Sequence, residues 1–214
     1  MLDWQNISPE HFGFALAALA YLVLCLLVLT TKSRNVQKSL LLAFFFISFL
    51  WALHYVIWLT VPFTTVLSHI LESSRYLFLL LFLFSALNQH NNLCNFLAQP
   101  YSIITLLGLA LWLIWCIWLA PSKSLTYTGY MTFCVLALAL LETLYRRSSK
   151  SERWQFKPLL IALAAGITFD FVLLAESALF ARIDTQLWQA RGFIFTLMIP
   201  FLVIAIRRIE AWGI

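Results

Sequence analysis

Few residues of this chain can do chemistry, and most of those that can sit where charge is expensive. His54, His69, Glu72, Arg75, Tyr76, Asp170 and Glu176 all fall inside long apolar runs, and the stretch AGITFDFVLLAESALFARID, residues 165–184, carries two acids in its apolar part. A charged group near a bilayer centre costs at least about 2.5–3.5 kcal/mol on insertion scales, so such groups face a bundle interior or a wet cavity and need partners. At about 100° per residue, His69, Glu72, Arg75 and Tyr76 share one stripe of a helix, and Trp51, His54, Tyr55 and Trp58 share another. Asp170 and Glu176 point about 120° apart on an ideal helix, so they do not form a catalytic carboxylate pair. Arg75 is the counter-charge expected for Asp170, with Glu72 as its other candidate partner. The two read either as a structural ion pair that locks helix packing or as part of a polar sensing cluster, with Glu176 on the rim above.

Signatures of soluble-type catalysis are missing. SHILE, residues 68–72, superficially resembles the phosphoacceptor box of a histidine kinase, but it opens a membrane helix and lacks the adjacent acidic residue. The chain has no Gly-rich nucleotide loop, no HExxH and no GxSxG. No catalytic residue and no cofactor is expected. Cys25, Cys94, Cys116 and Cys134 form no CxxC pair, and His54 has no His or Cys at ligand spacing, so neither a disulfide framework nor a metal site is indicated.

The elements that must position these residues are membrane helices. The 214 residues are 63% hydrophobic and 16% aromatic, with mean hydropathy +0.90, against an apolar share of roughly half in soluble domains. Runs of about 20 apolar residues recur at about 11–31, 39–60, 67–87, 101–120, 127–145, 158–180 and 193–206. The fold class is therefore all-α, a polytopic seven-transmembrane-helix bundle in a single domain, 1–214, with the lipid bilayer as its partner. The start of the chain carries Asp3 and Glu10 rather than a basic region, so the first span is expected to remain in the mature protein. The net charge of +5 does not point to nucleic acid, because the basic residues lie between spans.

Placing the N-terminus outside puts Lys32, Arg34, Lys38, Arg146, Arg147, Lys150, Arg153, Lys157, Arg207 and Arg208 on the cytoplasmic side, against Lys123, Arg182 and Arg191 outside. Ten against three satisfies the positive-inside rule and makes the C-terminus cytoplasmic. Trp58, Trp118, Tyr127, Tyr130 and Trp188 are expected at the outer interface, and Trp154 and Trp212 at the inner one. The outer loop RIDTQLWQARG, with Arg182, Asp184, Trp188 and Arg191, reads as an interfacial lid or a solvated connector. Pro200 is a hinge candidate in the last span, or a static kink, because it lacks a backbone donor.

The block from Arg153 to Arg208, RWQFKPLLIALAAGITFDFVLLAESALFARIDTQLWQARGFIFTLMIPFLVIAIRR, and the opening FGFALAALAYLVLCLLVLTT resemble the membrane region of sensor histidine kinases of PEP-CTERM/exosortase systems, the PrsK type. Family-like positions are Glu72, Arg75, Asp170, Arg182, Asp184, Trp188, Ala190, Arg191, Gly192 and Pro200. The resemblance implies a two-component signal-transduction protein of the bacterial inner membrane, a homodimer through its kinase portion. It also implies cytoplasmic GAF-like and kinase domains after residue 214, where this chain stops. The expected function is a sensory input domain that detects a small-molecule ligand or an envelope signal in the outer half of the bundle and relays it through the last helix. A small multispan transporter or permease is the alternative, and an intramembrane enzyme, which requires a second catalytic group near Asp170, is a third class.

Overall fold

The computed structural model describes residues 9–31, 35–58, 63–88, 93–119 and 122–210, with the side chains of 9–10, 150–152 and 209–210 left out. Lys32, Arg34 and Trp212 lie outside the described residues, as does the side chain of Lys150. Eight helices follow one another: α1 (Pro9–Thr30), α2 (Val36–Trp58), α3 (Val66–Asn88), the short α4 (Leu93–Leu97), α5 (Pro100–Trp118), α6 (Lys123–Arg147), α7 (Lys150–Phe180) and α8 (Thr185–Glu210). Seven of them, all but α4, are long and apolar enough to cross a membrane. In hydrocarbon every backbone donor and acceptor must be satisfied within the segment, which is why such runs fold as helices.

Local chemistry sets several helix ends. Pro100 stands in the first turn of α5, where its missing N–H costs nothing. Arg153 closes the end of α6, donating from Nε to the carbonyls of Tyr145 and Ser148 and from Nη2 to that of Arg146. Pro158 stands inside α7, so α7 begins well before the expected residue 158. The Trp154 carbonyl that Pro158 cannot serve accepts a hydrogen bond from Arg208 Nη1 of α8 at 3.0 Å, and the same guanidinium lies 5.2 Å from the Trp154 ring.

The start of α8 departs from the sequence reading as far as that of α7 does. It begins at Thr185 rather than near 193, because the Asp184 carboxylate accepts from the backbone N–H of Gln186 and Leu187 at 2.8 and 2.9 Å and caps the helix. The connection from α7 is a tight turn in which Ala181 takes a left-handed φ of 52°. Trp188 and Arg191 are thus helical and buried, not parts of an outer loop or lid. Tyr130 and Tyr127 are likewise buried, while Trp58, Trp118 and Trp154 are exposed on the outside of the bundle.

The spans form a closed ring. α1 packs on α2 and α8, α2 on α3, α3 on α6, α6 on α7 and α7 on α8, with α5 outside the ring against α3. α1 and α8 run side by side in the same direction and touch through glycine. A Cβ at Gly192 stands 2.4 Å from the Gly13 carbonyl carbon and 2.6 Å from the Phe14 nitrogen, so only a residue without a side chain fits. That contact brings the first turns of α8 to the level at which α1 begins, α3 begins and α7 ends.

Candidate functional site: a buried four-charge network

The ring encloses the charges. Asp170 of α7 accepts from Arg75 Nη2 of α3 at Oδ2 and from Arg191 Nε of α8 at Oδ1, the latter at 2.7 Å. Arg191 Nη2 also donates to Glu72 Oε1 of α3. The Tyr76 hydroxyl donates to Asp170 Oδ2 at 3.2 Å and lies 3.2 Å from Cys134 Sγ of α6. All four charged side chains are at most 4% exposed. Removing an ion from water costs several kcal/mol even after relaxation, so an arrangement of this kind persists only when the charges offset each other. Two guanidinium groups against two carboxylates meet that condition, and the network is net neutral.

Aromatic faces complete the cage. The Arg75 guanidinium carbon lies 4.3 Å from the Trp51 ring centroid and 4.7 Å from that of Phe195; for Arg191 the nearest are Trp51 at 4.7 Å and Trp188 at 5.0 Å. Trp51 of α2 is therefore shared by both cations, and a desolvated cation over an aromatic face gains about 2 kcal/mol. Glu72 Oε2, Arg75 Nη1 and Arg191 Nη1 have no hydrogen-bond partner among the described residues. A cavity of about 30 Å³ opens beside Arg75 and Asp170, with Tyr21, Phe44, Gly166 and Met198 among its walls. That is room on the order of one or two water-sized groups.

A second polar chain lies beside the network, toward the end of the bundle where α3 begins. His69 Nδ1 lies 3.0 Å from the Tyr130 hydroxyl, which lies 3.1 Å from the Ser73 hydroxyl beside Glu72. The His69 and Tyr130 rings are stacked, with an interplanar angle of 8°. Phe63, held at a left-handed φ of 56°, packs 4.9 Å from Tyr130 and 6.1 Å from His69. An L residue in that conformation costs about 1–2 kcal/mol, which the surrounding ring contacts offset.

Of the residues singled out in the sequence, Arg75, Tyr76 and Asp170 meet directly, Glu72 joins them through Arg191, and His69 bonds Tyr130 beside the ion pairs. His54 is buried edge-on against Tyr55, 5.1 Å between centroids. Glu176 is half-buried and makes no ion pair among the described residues, and Arg182 is exposed in the turn before α8. Pro200 lies on the exposed face of α8, away from the network. Sequence reasoning placed Arg191 in the outer loop, Tyr130 at the outer interface and Trp51 only on the stripe of His54, and so missed the part each plays here. The signal for Arg191 was present, since Asp184 is an N-cap residue and Trp188, Arg191 and Phe195 recur at helical spacing behind it. Among the described residues no group of His, Cys, Asp and Glu has the geometry to hold a metal ion. Comparison with family models, with curated proteins and with solved structures finds no match to this chain.

Proposed function

We propose that this bundle is the membrane-embedded input module of a sensor histidine kinase of the PEP-CTERM/exosortase-associated type. It would sit in a bacterial inner membrane with its N-terminus outside and its C-terminus in the cytoplasm. The observation that carries the reading is the buried network joining α3, α7 and α8. Ionisable groups inside a membrane bundle are functional by default, and here they tie the last span to the rest of the ring at one end. At the other end α8 is held by Arg208 on the Trp154 carbonyl, so a change in the grip on Arg191 reaches the residues that lead out of the bundle. The resemblance in the block 153–208 includes Asp170, Arg191 and Gly192, which are the residues that anchor α8. The orientation is supported by basic residues, and more strongly once Arg191 is counted as interior, since Lys123 and Arg182 remain at the end assigned to the outside.

Signalling requires two bundle arrangements that the signal favours unequally. Breaking and remaking the Arg191 contacts provides such a pair. The test is autophosphorylation of the product read through Ile214 into its kinase portion, measured in membrane vesicles. Asp170→Asn and Arg191→Leu each change it fivefold or more, the scale of coupling energies of about 1–3 kcal/mol, while Glu142→Ala leaves it unchanged. A reading frame without a kinase portion, or solute accumulation by vesicles carrying this chain alone, overturns the proposal. A fluorescent-protein fusion at Ile214 that fails to fluoresce overturns the orientation.

A further inference from the structure

We propose that His69 is a proton-binding site through which the bundle reads acidity at the end where α3 begins. This deepens the sensory reading and rests on it for the side of the membrane that is sampled. His69 stands in the first turn of α3, at the end of its span, and is only half-buried, which in the proposed placement sets its ring beside interfacial water, whereas the four network charges are fully enclosed. An imidazole changes charge between about pH 5 and 8, which is the range in which a proton can act as a signal.

The geometry gives that proton two effects. The Tyr130 hydroxyl lies within reach of His69 Nδ1, the Ser73 hydroxyl and, at 3.4 Å, the His69 backbone carbonyl, and a neutral ring whose Nδ1 carries no proton accepts from it. Once the ring is protonated both nitrogens donate, so Tyr130 accepts from His69 and sends its own proton to the Ser73 hydroxyl or to the His69 carbonyl. The second effect is electrostatic. His69 and Glu72 are three residues apart on one helix, where side chains are neighbours, and Glu72 has its Oε1 on Arg191 and its Oε2 without a hydrogen-bond partner among the described residues. An imidazolium there competes with Arg191 for the same carboxylate and loosens the hold on α8.

The other charged and titratable groups around this contact belong to every neighbouring helix. α6 presents Tyr130, with Cys116 of α5 close to it. α2 presents Tyr55 near Glu72, with His54 against Tyr55. Arg75 on α3 itself and Arg191 on α8 both interact with Glu72. Asp170 of α7 is already engaged by two guanidinium groups and Tyr76, which leaves Glu72 as the carboxylate His69 acts on.

The experiment uses the full chain in nanodiscs, its native cysteines replaced, with spin labels at Thr128 of α6 and Gln186 of α8, both exposed. The expected result is a change of about 1–2 Å in the interlabel distance between pH 8 and pH 5, the scale of helix shifts in switching transitions. The change persists in His54→Gln and vanishes in His69→Gln. Nitrogen NMR of histidine-labelled, otherwise unmodified chain provides the second measurement, with the His69 ring titrating in the same range. A distance change that survives His69→Gln, no distance change at all, or a His69 ring that does not titrate overturns the proposal. None of these results bears on autophosphorylation, so the sensory reading stands or falls separately.

Discussion

Asp170→Asn is the sharpest perturbation of this protein, because it removes a charge and almost no volume. Asp170 is the only carboxylate on Arg75 among the described residues, whereas Arg191 keeps Glu72 when Asp170 is lost. The variant therefore leaves one guanidinium buried without compensation, and breaking a buried pair in this way costs about 3–5 kcal/mol. A Coulomb estimate agrees, since two charges about 4 Å apart at an effective dielectric constant of 20 attract by about 4 kcal/mol. Arg75→Met costs a similar amount in the opposite sense, with the interior left at one net negative charge. The double variant restores neutrality, since the Arg191–Glu72 pair remains. It should then lie at least about 2 kcal/mol closer to wild type than the sum of the single changes, within the range found for residues sharing a network. Equilibrium unfolding in mixed micelles, followed as the fraction of denaturing detergent rises, measures all three. Additivity within about 0.5 kcal/mol would refute the idea that these side chains act as one unit.

Other substitutions test the packing around the network by the same unfolding measurement. Gly192→Ala forces a methyl group against the backbone of Gly13 and Phe14, where no flexible side chain can yield, and should destabilise by about 1–3 kcal/mol. Gly108→Ala on α5 meets nothing within 4 Å and should be neutral or stabilising by up to about 1 kcal/mol through helix propensity. Trp51→Leu removes the face shared by both guanidinium groups and should cost about 3–5 kcal/mol, cavity included. Glu142→Ala breaks an i,i+4 pair that is 60% and 76% exposed and should change stability by no more than about 0.5 kcal/mol.

Much of the fold follows from hydropathy because hydrocarbon admits little besides helices. The positions of α1, α2, α3, α5 and α6 agree with the apolar runs to within a few residues, and the short α4 matches none. The disagreements come from residues whose usual meaning was overridden. A proline usually starts or ends a helix, yet Pro158 lies inside α7 because Arg208, 50 residues later in sequence, serves the carbonyl that the proline cannot. An arginine near a span end usually marks the water interface, and Arg191 carries no local sign that its charge is cancelled.

The sequence by itself determined the seven spans, the polar stripe of α3 and the need of Asp170 for a cation, since these depend on period and on the cost of charge in lipid. Only the tertiary structure decided that Asp170 holds two arginines, that Trp51 lies under both, and that His69 meets Tyr130. These contacts link residues at least 21 positions apart, and they exist because the ring closes where Gly192 lets α8 rest against α1. A helical period shows which way each side chain points around its own axis. It carries no information on the depth at which another helix will bring the opposite charge.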